Sequence, residues 1–145
     1  MSLYFRKEEE FYHLTYALTM HVAETLAKQN SNMTFCYVSG AGTDSSEKGR
    51  LMWARVKGKT ENDLMKLPFA QVYNFRPGII APGKGMKNTI KMYTYFMWLL
   101  PIVKRISKNA VVSLAEIGQA MIKAATKGYK KQILEVKDIK ELAAQ

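Results

Sequence analysis

The stretch Phe35–Glu61, FCYVSGAGTDSSEKGRLMWARVKGKTE, joins a short apolar run to a helical pattern through a turn rich in glycine and serine. The apolar run ends at Ser39, where the glycine-containing turn begins. Trp53, Lys57 and Glu61 then recur at four-residue spacing, which is about one turn of a helix. The stretch therefore predicts a strand, a turn and a helix that carries these three side chains on one face.

The residues on either side extend this pattern into a unit with two parallel strands. An amphipathic helix is predicted over Lys7–Lys28, a buried strand over Met33–Ser39, a helix over Glu47–Leu67 and a second strand over Ala70–Arg76. Strand, helix and strand at this spacing are typical of a βαβ unit. The sequence therefore predicts an α/β fold with a parallel sheet and flanking helices.

Two local features define the predicted helices. The first helix should bury one apolar stripe, which consists of Phe11, Leu14, Leu18, Val22 and Leu26. Ser45 or Ser46 is the predicted N-cap of the second helix, and Pro68 ends that helix.

The end of the chain predicts further short elements. Ala110–Val112 is a candidate strand, and the Ser113–Glu116 sequence, SLAE, is a capping box that begins a helix ending near Gly128. Ile133–Val136 is a candidate edge strand, and Asp138–Ala144 a short terminal helix.

Length and composition indicate one globular domain over residues 1–145, because 48% of the residues are apolar. The lone cysteine, Cys36, lies in the first strand pattern and should fill the core, which favours a reducing, cytoplasmic setting. The most apolar segment, Ile90–Val103, is short for a membrane span, contains Lys91 and is broken by Pro101. We therefore expect no membrane insertion. A buried helix and a partner-binding surface both remain open for this segment.

The charge balance leaves a second class of function open. The chain has 22 basic and 12 acidic residues, for a net charge of +10, but the basic residues are scattered along it. This scatter disfavours nucleic acid as a partner. The alternative is a basic interaction module that binds nucleic acid or a protein through Lys104, Arg105, Lys108 and the apolar Tyr93–Leu100 segment.

Several chemistries lack the residues that they require. His13 and His21 are too far apart on one helix to bind one ion together, so no metal site is predicted. The Ser39–Gly42 turn lacks the third glycine and the lysine of a phosphate cradle. Lys57 and Glu61 could also be an ordinary exposed pair one helical turn apart.

The order of these features resembles the short-chain dehydrogenase/reductase superfamily, especially its atypical, epimerase-like members that bind NAD(P). The resemblance consists of Ser39-Gly40 after a strand, Trp53-x-x-x-Lys57 on the next helix, and Phe75-Arg76-Pro77-Gly78 at the end of the next strand. The final helix, strand and helix, SLAEIGQAMIKAA and ILEVKDIKEL, are similar to the family's closing elements. Together these motifs cover nearly the whole chain.

The resemblance bears on five positions. Ser39 would polarise a substrate carbonyl, and Lys57 would hold the nicotinamide ribose. Pro77 and Gly78 would line the nicotinamide side of the cleft. Trp53 stands where the family has the tyrosine that transfers the proton, and an indole N–H does not titrate, so ordinary carbonyl reduction is not expected.

The resemblance covers only the second half of a Rossmann-like domain. The family's N-terminal, glycine-rich half, which binds the dinucleotide, has no counterpart here, so we expect a fragment or a truncated gene product that lacks turnover by itself. The full-length parent would be an oxidoreductase or nucleoside-diphosphate-sugar epimerase-like protein that uses NAD or NADP with a small carbonyl or sugar substrate. This chain alone would bind no cofactor. Its exposed sheet edge could pair copies into a homo-oligomer.

Overall fold

The computed structural model describes residues 3–81 and 110–145, with side chains described from Glu8 onward in the first helix. The helices are α1 (Leu3–Tyr12), a π-helical turn (His13–Ala17), α2 (Leu18–Gln29), α3 (Met52–Leu64), α4 (Leu114–Lys127) and α5 (Val136–Ala144). The strands are β1 (Thr34–Val38), β2 (Gln71–Arg76), β3 (Ile79–Ala81), β4 (Val111–Ser113) and β5 (Ile133–Glu135). The fold is therefore mixed α/β with flanking helices.

Over the described residues, the main sheet has three parallel strands in the order β1-β2-β5, which confirms the predicted parallel pairing. Cys36 lies beside Tyr73 in the β1–β2 ladder, and Phe75 lies beside Leu134 in the β2–β5 ladder. The central strand is buried along its length except at Gln71. A second, two-stranded parallel sheet pairs β3 with β4 directly after the end of β2.

Helices cover both faces of the main sheet. On one face, α2 and α3 pack through Met20, Ala23 and Leu64 against Val72 of β2. On the opposite face, α4 and α5 enclose a larger core of buried residues, Tyr73, Phe75, Val112, Ile117, Ala120, Ala124, Leu134, Val136, Ile139, Leu142 and Ala143. Cys36 is half-buried at the margin of that core, as a small filler residue would be.

The predicted buried stripe of the first helix is wrong. Its members Leu14, Leu18, Val22 and Leu26 are exposed, while Phe11 is partly buried. The buried face instead carries Met20, Ala23 and Ala27, whose small alanines let α2 approach α3 closely. Tyr16, in the π-helical turn, fixes this face by donating a hydrogen bond of 2.8 Å to Asp63 on α3.

The second helix begins later than the predicted Glu47, at Met52, and neither Ser45 nor Ser46 caps it. The loop is instead organised by the Asp44 carboxylate, which accepts hydrogen bonds from the backbone N–H groups of Ser46 and Gly49 at 3.0 and 2.6 Å. Local side-chain bonds of this kind compete with the first turn of a helix. The extra predicted turn is therefore a loop.

The predicted elements at the C-terminal end are confirmed with small shifts in their bounds. Ser113 caps α4, and its backbone N–H donates to the Glu116 carboxylate at 2.7 Å, which completes the capping box. The predicted edge strand ends at Glu135 because Val136 already belongs to α5. The helix thus begins two residues before the predicted Asp138.

The segment Ile90–Val103, its Tyr93–Leu100 portion and the basic group Lys104, Arg105 and Lys108 lie outside the described residues. Over residues 3–81 and 110–145, none of the helices is both long and apolar enough to span a membrane.

Candidate functional site

An open cleft lies where β1 and β2 end, at the carboxyl edge of the main sheet. Ser39 follows β1 directly, and Pro77 and Gly78 follow β2. Helix α3 adds Trp53 and Lys57 to the same cleft. The cleft has a volume of about 490 Å³, and its other lining residues are Gly40, Ala41, Ile79, Ala110 and Val136. The structure thus brings together all five residues singled out from the sequence.

Among the described residues that line the cleft, Lys57 is the charged one. Its Nζ donates a hydrogen bond to the backbone carbonyl of Ser39, so the amine is fixed at the end of β1. Desolvation by partial burial lowers the pKa of Lys57, and the nearby charge of Glu61 opposes this shift. An amine in such a setting is a strong hydrogen-bond donor to a ligand oxygen.

Ser39 is almost fully buried although it lines the cleft, with 4% of its surface exposed. Its hydroxyl donates a hydrogen bond to Oε1 of Glu61. The carbonyl oxygen of Phe75 lies 3.3 Å from Oγ of Ser39. Its backbone N–H also donates to Phe75 O, at 2.9 Å. Ser39 is therefore held on three sides by the protein.

Glu61 is completely buried and forms an ion pair with Arg76 at the end of β2. The Nε of Arg76 lies 3.0 Å from Oε1 and 3.2 Å from Oε2, and its Nη2 lies 2.5 Å from Oε2. Arg76 also donates to Ser45 Oγ at 2.6 Å and to Glu135 at 3.2 Å. The interpretation of Lys57 and Glu61 as an ordinary exposed pair is therefore wrong, because Glu61 is buried and pairs with Arg76.

Sequence reasoning placed Glu61 on the correct helical face but missed its role beneath Ser39. Two signals in the sequence point to it. Glu61 continues the stripe of Trp53 and Lys57 one turn further, and Arg76 is a charged residue at the end of a strand that is otherwise buried. A buried arginine of this kind requires an anionic partner.

Trp53 is partly buried at the mouth of the cleft, and its ring lies against the turn that follows β1. A Cβ atom added to Gly42 would be 3.4 Å from Cη2 of the indole, and Gly42 has a φ of +87°. The glycine thus permits both the turn and the position of the ring. Because the indole N–H does not titrate, Trp53 offers the cleft a donor and an aromatic wall but no acid or base.

Close backbone contacts hold the opposite wall in place. The N–H of Ala41 donates to the carbonyl of Pro77 at 2.8 Å, and the N–H of Ile79 donates to Ala110 O at 2.8 Å. A Cβ atom at Gly78 would be 2.4 Å from that Ala110 oxygen, so only glycine fits between β2 and β4. Among the described residues, this wall carries no ionisable side chain.

Two tyrosines on the neighbouring strands do not supply the missing acid. The phenol of Tyr73 accepts a hydrogen bond from the backbone N–H of Tyr129 at 2.8 Å, on the face covered by α4 and α5. Burial raises the pKa of Tyr37, which packs on the face covered by α2 and α3. Neither belongs to the described residues that line the cleft.

No model of a known protein family matches the chain. The chain is similar to the curated protein "Protein FMP52, mitochondrial" from Candida albicans, to which it is 27% identical over 128 residues. The aligned region covers 83% of this chain and 52% of the relative, so the chain spans about half the length of the curated protein that it matches.

The cytoplasmic localisation expected from the single cysteine is contradicted by this relative, whose name places it in mitochondria. The inference failed because an unpaired thiol reports only that a compartment is not oxidising. It does not distinguish the cytoplasm from other reducing compartments.

Proposed function

We propose that this chain forms one half of an NAD(P)-binding, oxidoreductase-like domain of the short-chain dehydrogenase/reductase type. The observation that carries the proposal is that Ser39 and Lys57 meet in one cleft with Pro77 and Gly78, at the carboxyl ends of two parallel strands. Open α/β sheets bind their ligands at this edge. The similarity to FMP52, at 27% identity, is consistent with a shared parent architecture.

The remaining half of the domain would extend the main sheet at β1. This strand is an edge strand of the described sheet, and its residues from Thr34 to Tyr37 are partly buried while Val38 is exposed. The match to about half of the relative fits a parent that supplies further strands there. Two copies of the chain could also pair through the same edge.

The lining of the cleft fits one end of a nicotinamide dinucleotide. Lys57 would hold the ribose, and the walls formed by Pro77 and Gly78 would contact the nicotinamide ring. The cofactor would supply or accept a hydride when bound. No phosphate cradle occurs in the described residues, so the diphosphate would be held by the other half, and we expect the chain alone to bind the cofactor weakly or not at all.

The tryptophan favours ligand binding over ordinary carbonyl reduction. Proton transfer to a carbonyl oxygen requires a titratable group within hydrogen-bond reach, and Trp53 provides none. The parent would therefore act as a dinucleotide-sensing relative, or it would use a proton donor from its other half. Its ligand would be a small carbonyl or sugar compound. We further propose a mitochondrial location, which rests on the name of the relative.

The test is to titrate NADH and NADPH into the full-length gene product, which joins this chain to any upstream half, and to follow the cofactor fluorescence. Saturable binding that is lost in Lys57→Ala is the expected result. Lys59→Ala is the matched control, because Lys59 lies on the same helix but pairs with Asp63 at 2.8 Å, away from the cleft. Failure of the wild-type protein to bind either cofactor contradicts the proposal.

A further inference from the structure

Asn74 is a fully buried polar residue in the middle of the central strand β2. Neither its amide nitrogen Nδ2 nor its amide oxygen Oδ1 has a hydrogen-bond partner in the part of the chain that the structure describes. Buried polar side chains are normally paired, because an unpaired donor or acceptor loses its bonds to water without replacement. The amide of Asn74 therefore requires a partner that the described residues do not supply.

The side chain of Asn74 lies on the face of the main sheet that α2 and α3 cover. Successive side chains of a strand point to opposite faces, so Asn74 shares its face with Val72 and Arg76. Val72 packs with Leu64 of α3, and Arg76 forms its ion pair with Glu61 of the same helix. The amide of Asn74 is thus placed between an apolar contact and a buried ion pair.

These two contacts diverge from the helix toward the strand. Val72 and Arg76 are about 13 Å apart along the strand, whereas Glu61 and Leu64 are about 4.5 Å apart along the helix axis. Asn74 lies on the strand midway between the two ends. The neighbouring carboxylate of Glu61 does not bond to it, because the Glu61 oxygens accept hydrogen bonds from Arg76 and Ser39 instead.

The other polar side chains buried near α3 have partners. Ser39 and Arg76 both donate to Glu61, and the Thr60 hydroxyl donates to a backbone carbonyl one turn earlier at 2.8 Å. Over residues 3–81 and 110–145, Asn74 is the exception among the buried polar side chains. Its lack of a partner is therefore a specific property of this position.

A ligand that satisfies Asn74 must both donate and accept hydrogen bonds. A primary amide presents an N–H donor and a carbonyl acceptor side by side. A metal ion would bind only the oxygen, and an anion would bind only the nitrogen. Water both donates and accepts, and single water molecules commonly pair buried polar groups inside proteins. The chemistry of the amide thus favours water over either kind of ion.

We propose that Asn74 binds an internal water molecule, which accepts a hydrogen bond from Nδ2 and donates one to Oδ1. The site lies between the Glu61–Arg76 ion pair and the contact of Val72 with α3. The water completes the buried polar layer beneath the cleft. Its binding involves neither Lys57 nor the proposed cofactor, so the inference stands apart from the function proposed above.

The test counts internal water molecules by magnetic relaxation dispersion of the water oxygen nucleus, which detects waters that tumble with the protein. Asn74→Leu replaces the amide with an apolar group of similar shape and should lower the dispersion amplitude by one water molecule per chain. Asn32→Leu makes the same change at an exposed position and should leave the amplitude unchanged. An unchanged amplitude in a folded Asn74→Leu protein overturns the proposal.

A second measurement keeps the test valid if Asn74→Leu does not fold. In the wild-type chain, the side-chain amide protons of Asn74 should show nuclear Overhauser effects from water with the negative sign of a long-lived complex, and those of the exposed Asn32 should not. The effect should persist in Tyr37→Phe, which removes the hydroxyl of the residue beside Asn74 in the β1–β2 ladder. Absence of the effect at Asn74, or its loss in Tyr37→Phe, overturns the proposal.

Discussion

The guanidinium of Arg76, at the end of β2, donates to both carboxylate oxygens of Glu61 on α3. This pair joins the central strand to the helix directly beneath Ser39. Arg76 also reaches the loop before α3 through Ser45 and the end of β5 through Glu135. One buried ion pair therefore fixes the relative positions of the strand, the helix and the loop that form the cleft.

Replacement of Glu61 with alanine should be strongly destabilising. The change leaves the Arg76 guanidinium buried with only its partly exposed partners, which costs about 3–5 kcal/mol in comparable cases. Urea unfolding followed by circular dichroism measures this cost. The exposed Glu24→Ala is the control and should change the free energy of unfolding by less than about 0.5 kcal/mol.

The double variant Glu61→Leu/Arg76→Leu should be less destabilised than Glu61→Ala, because it leaves no buried charge without its partner. A double variant that unfolds as readily as the single one would contradict the assignment of the cost to the stranded Arg76 charge.

Gly58 is required because α3 packs against the preceding loop at this residue. A Cβ atom at Gly58 would lie 1.8 Å from the carbonyl oxygen of Asp44, which is a backbone atom. Gly58→Ala should therefore displace the loop and lower the free energy of unfolding by more than about 2 kcal/mol. Thermal unfolding tests this, and a variant as stable as the wild type would show that the loop does not pack as described.

Gly118 lies in a helix, as Gly58 does, but alanine at Gly118 should stabilise the protein rather than destabilise it. It lies within α4, and a Cβ atom there would have no neighbour within 4 Å. Gly118→Ala should stabilise the protein by about 0.5–1 kcal/mol, because alanine has the higher helix propensity. The same unfolding assay measures this gain.

Asp63 on α3 accepts a hydrogen bond from Tyr16 in the π-helical turn. This contact should make the stability of the protein depend on pH. Partial burial raises the pKa of Asp63, but hydrogen bonds from Lys59, Lys66 and Tyr16 outweigh it and hold the pKa well below its usual range. A carboxyl group with a lowered pKa in the folded state stabilises the protein fully above its unfolded pKa of about 3.9. This contribution is lost as the pH falls through the folded pKa.

Asp63→Asn should therefore cost roughly 1–2 kcal/mol at neutral pH, with the partly exposed lysines limiting the effect. The difference from the wild type should be constant above about pH 5 and shrink below about pH 4. Urea unfolding across this range measures it. A difference that grows toward acid would mean that Asp63 is not held by these donors.

Trp53→Tyr should place a phenol, which can transfer a proton, where the indole cannot. A phenol at this position on α3 would stand one turn before Lys57, whose charge favours its ionised form. In the full-length protein, the NADPH-dependent reduction of acetophenone should rise by about a hundredfold or more. Trp53→Phe is the control and should give no gain. An unchanged rate in a Trp53→Tyr protein that binds cofactor would show that the position does not face the reacting carbonyl.

The sequence predicted the parallel strands well because their signal is local. Apolar runs that end at Ser39 and Arg76 determine β1 and β2, and the capping box at Ser113 determines the start of α4. The apolar stripe predicted to be buried on the first helix is exposed, because amphipathic spacing does not reveal which of two apolar faces is covered. In α2 the small residues Ala23 and Ala27 are buried, since they permit a closer approach than leucine.

The candidate site was predicted in part for the same reason. Ser39 follows from its place at the end of a strand, and Trp53 and Lys57 follow from their four-residue spacing on the next helix. The pair of Glu61 and Arg76 depends on a contact between residues that are 15 positions apart in the sequence. Periodicity alone does not distinguish such a buried pair from an exposed one. Only the fold shows that Glu61 turns inward and accepts a hydrogen bond from the Ser39 hydroxyl.

The most direct test of the central claim is energy transfer from Trp53 to the reduced nicotinamide ring. The chain has two tryptophans, so Trp98→Phe, with any upstream tryptophans also replaced, leaves Trp53 as the donor in the full-length protein. When Trp53 is excited, the addition of NADPH should quench the indole emission and produce saturable nicotinamide emission. NADPH binding without energy transfer, or no binding, would contradict the placement of a nicotinamide cofactor in this cleft.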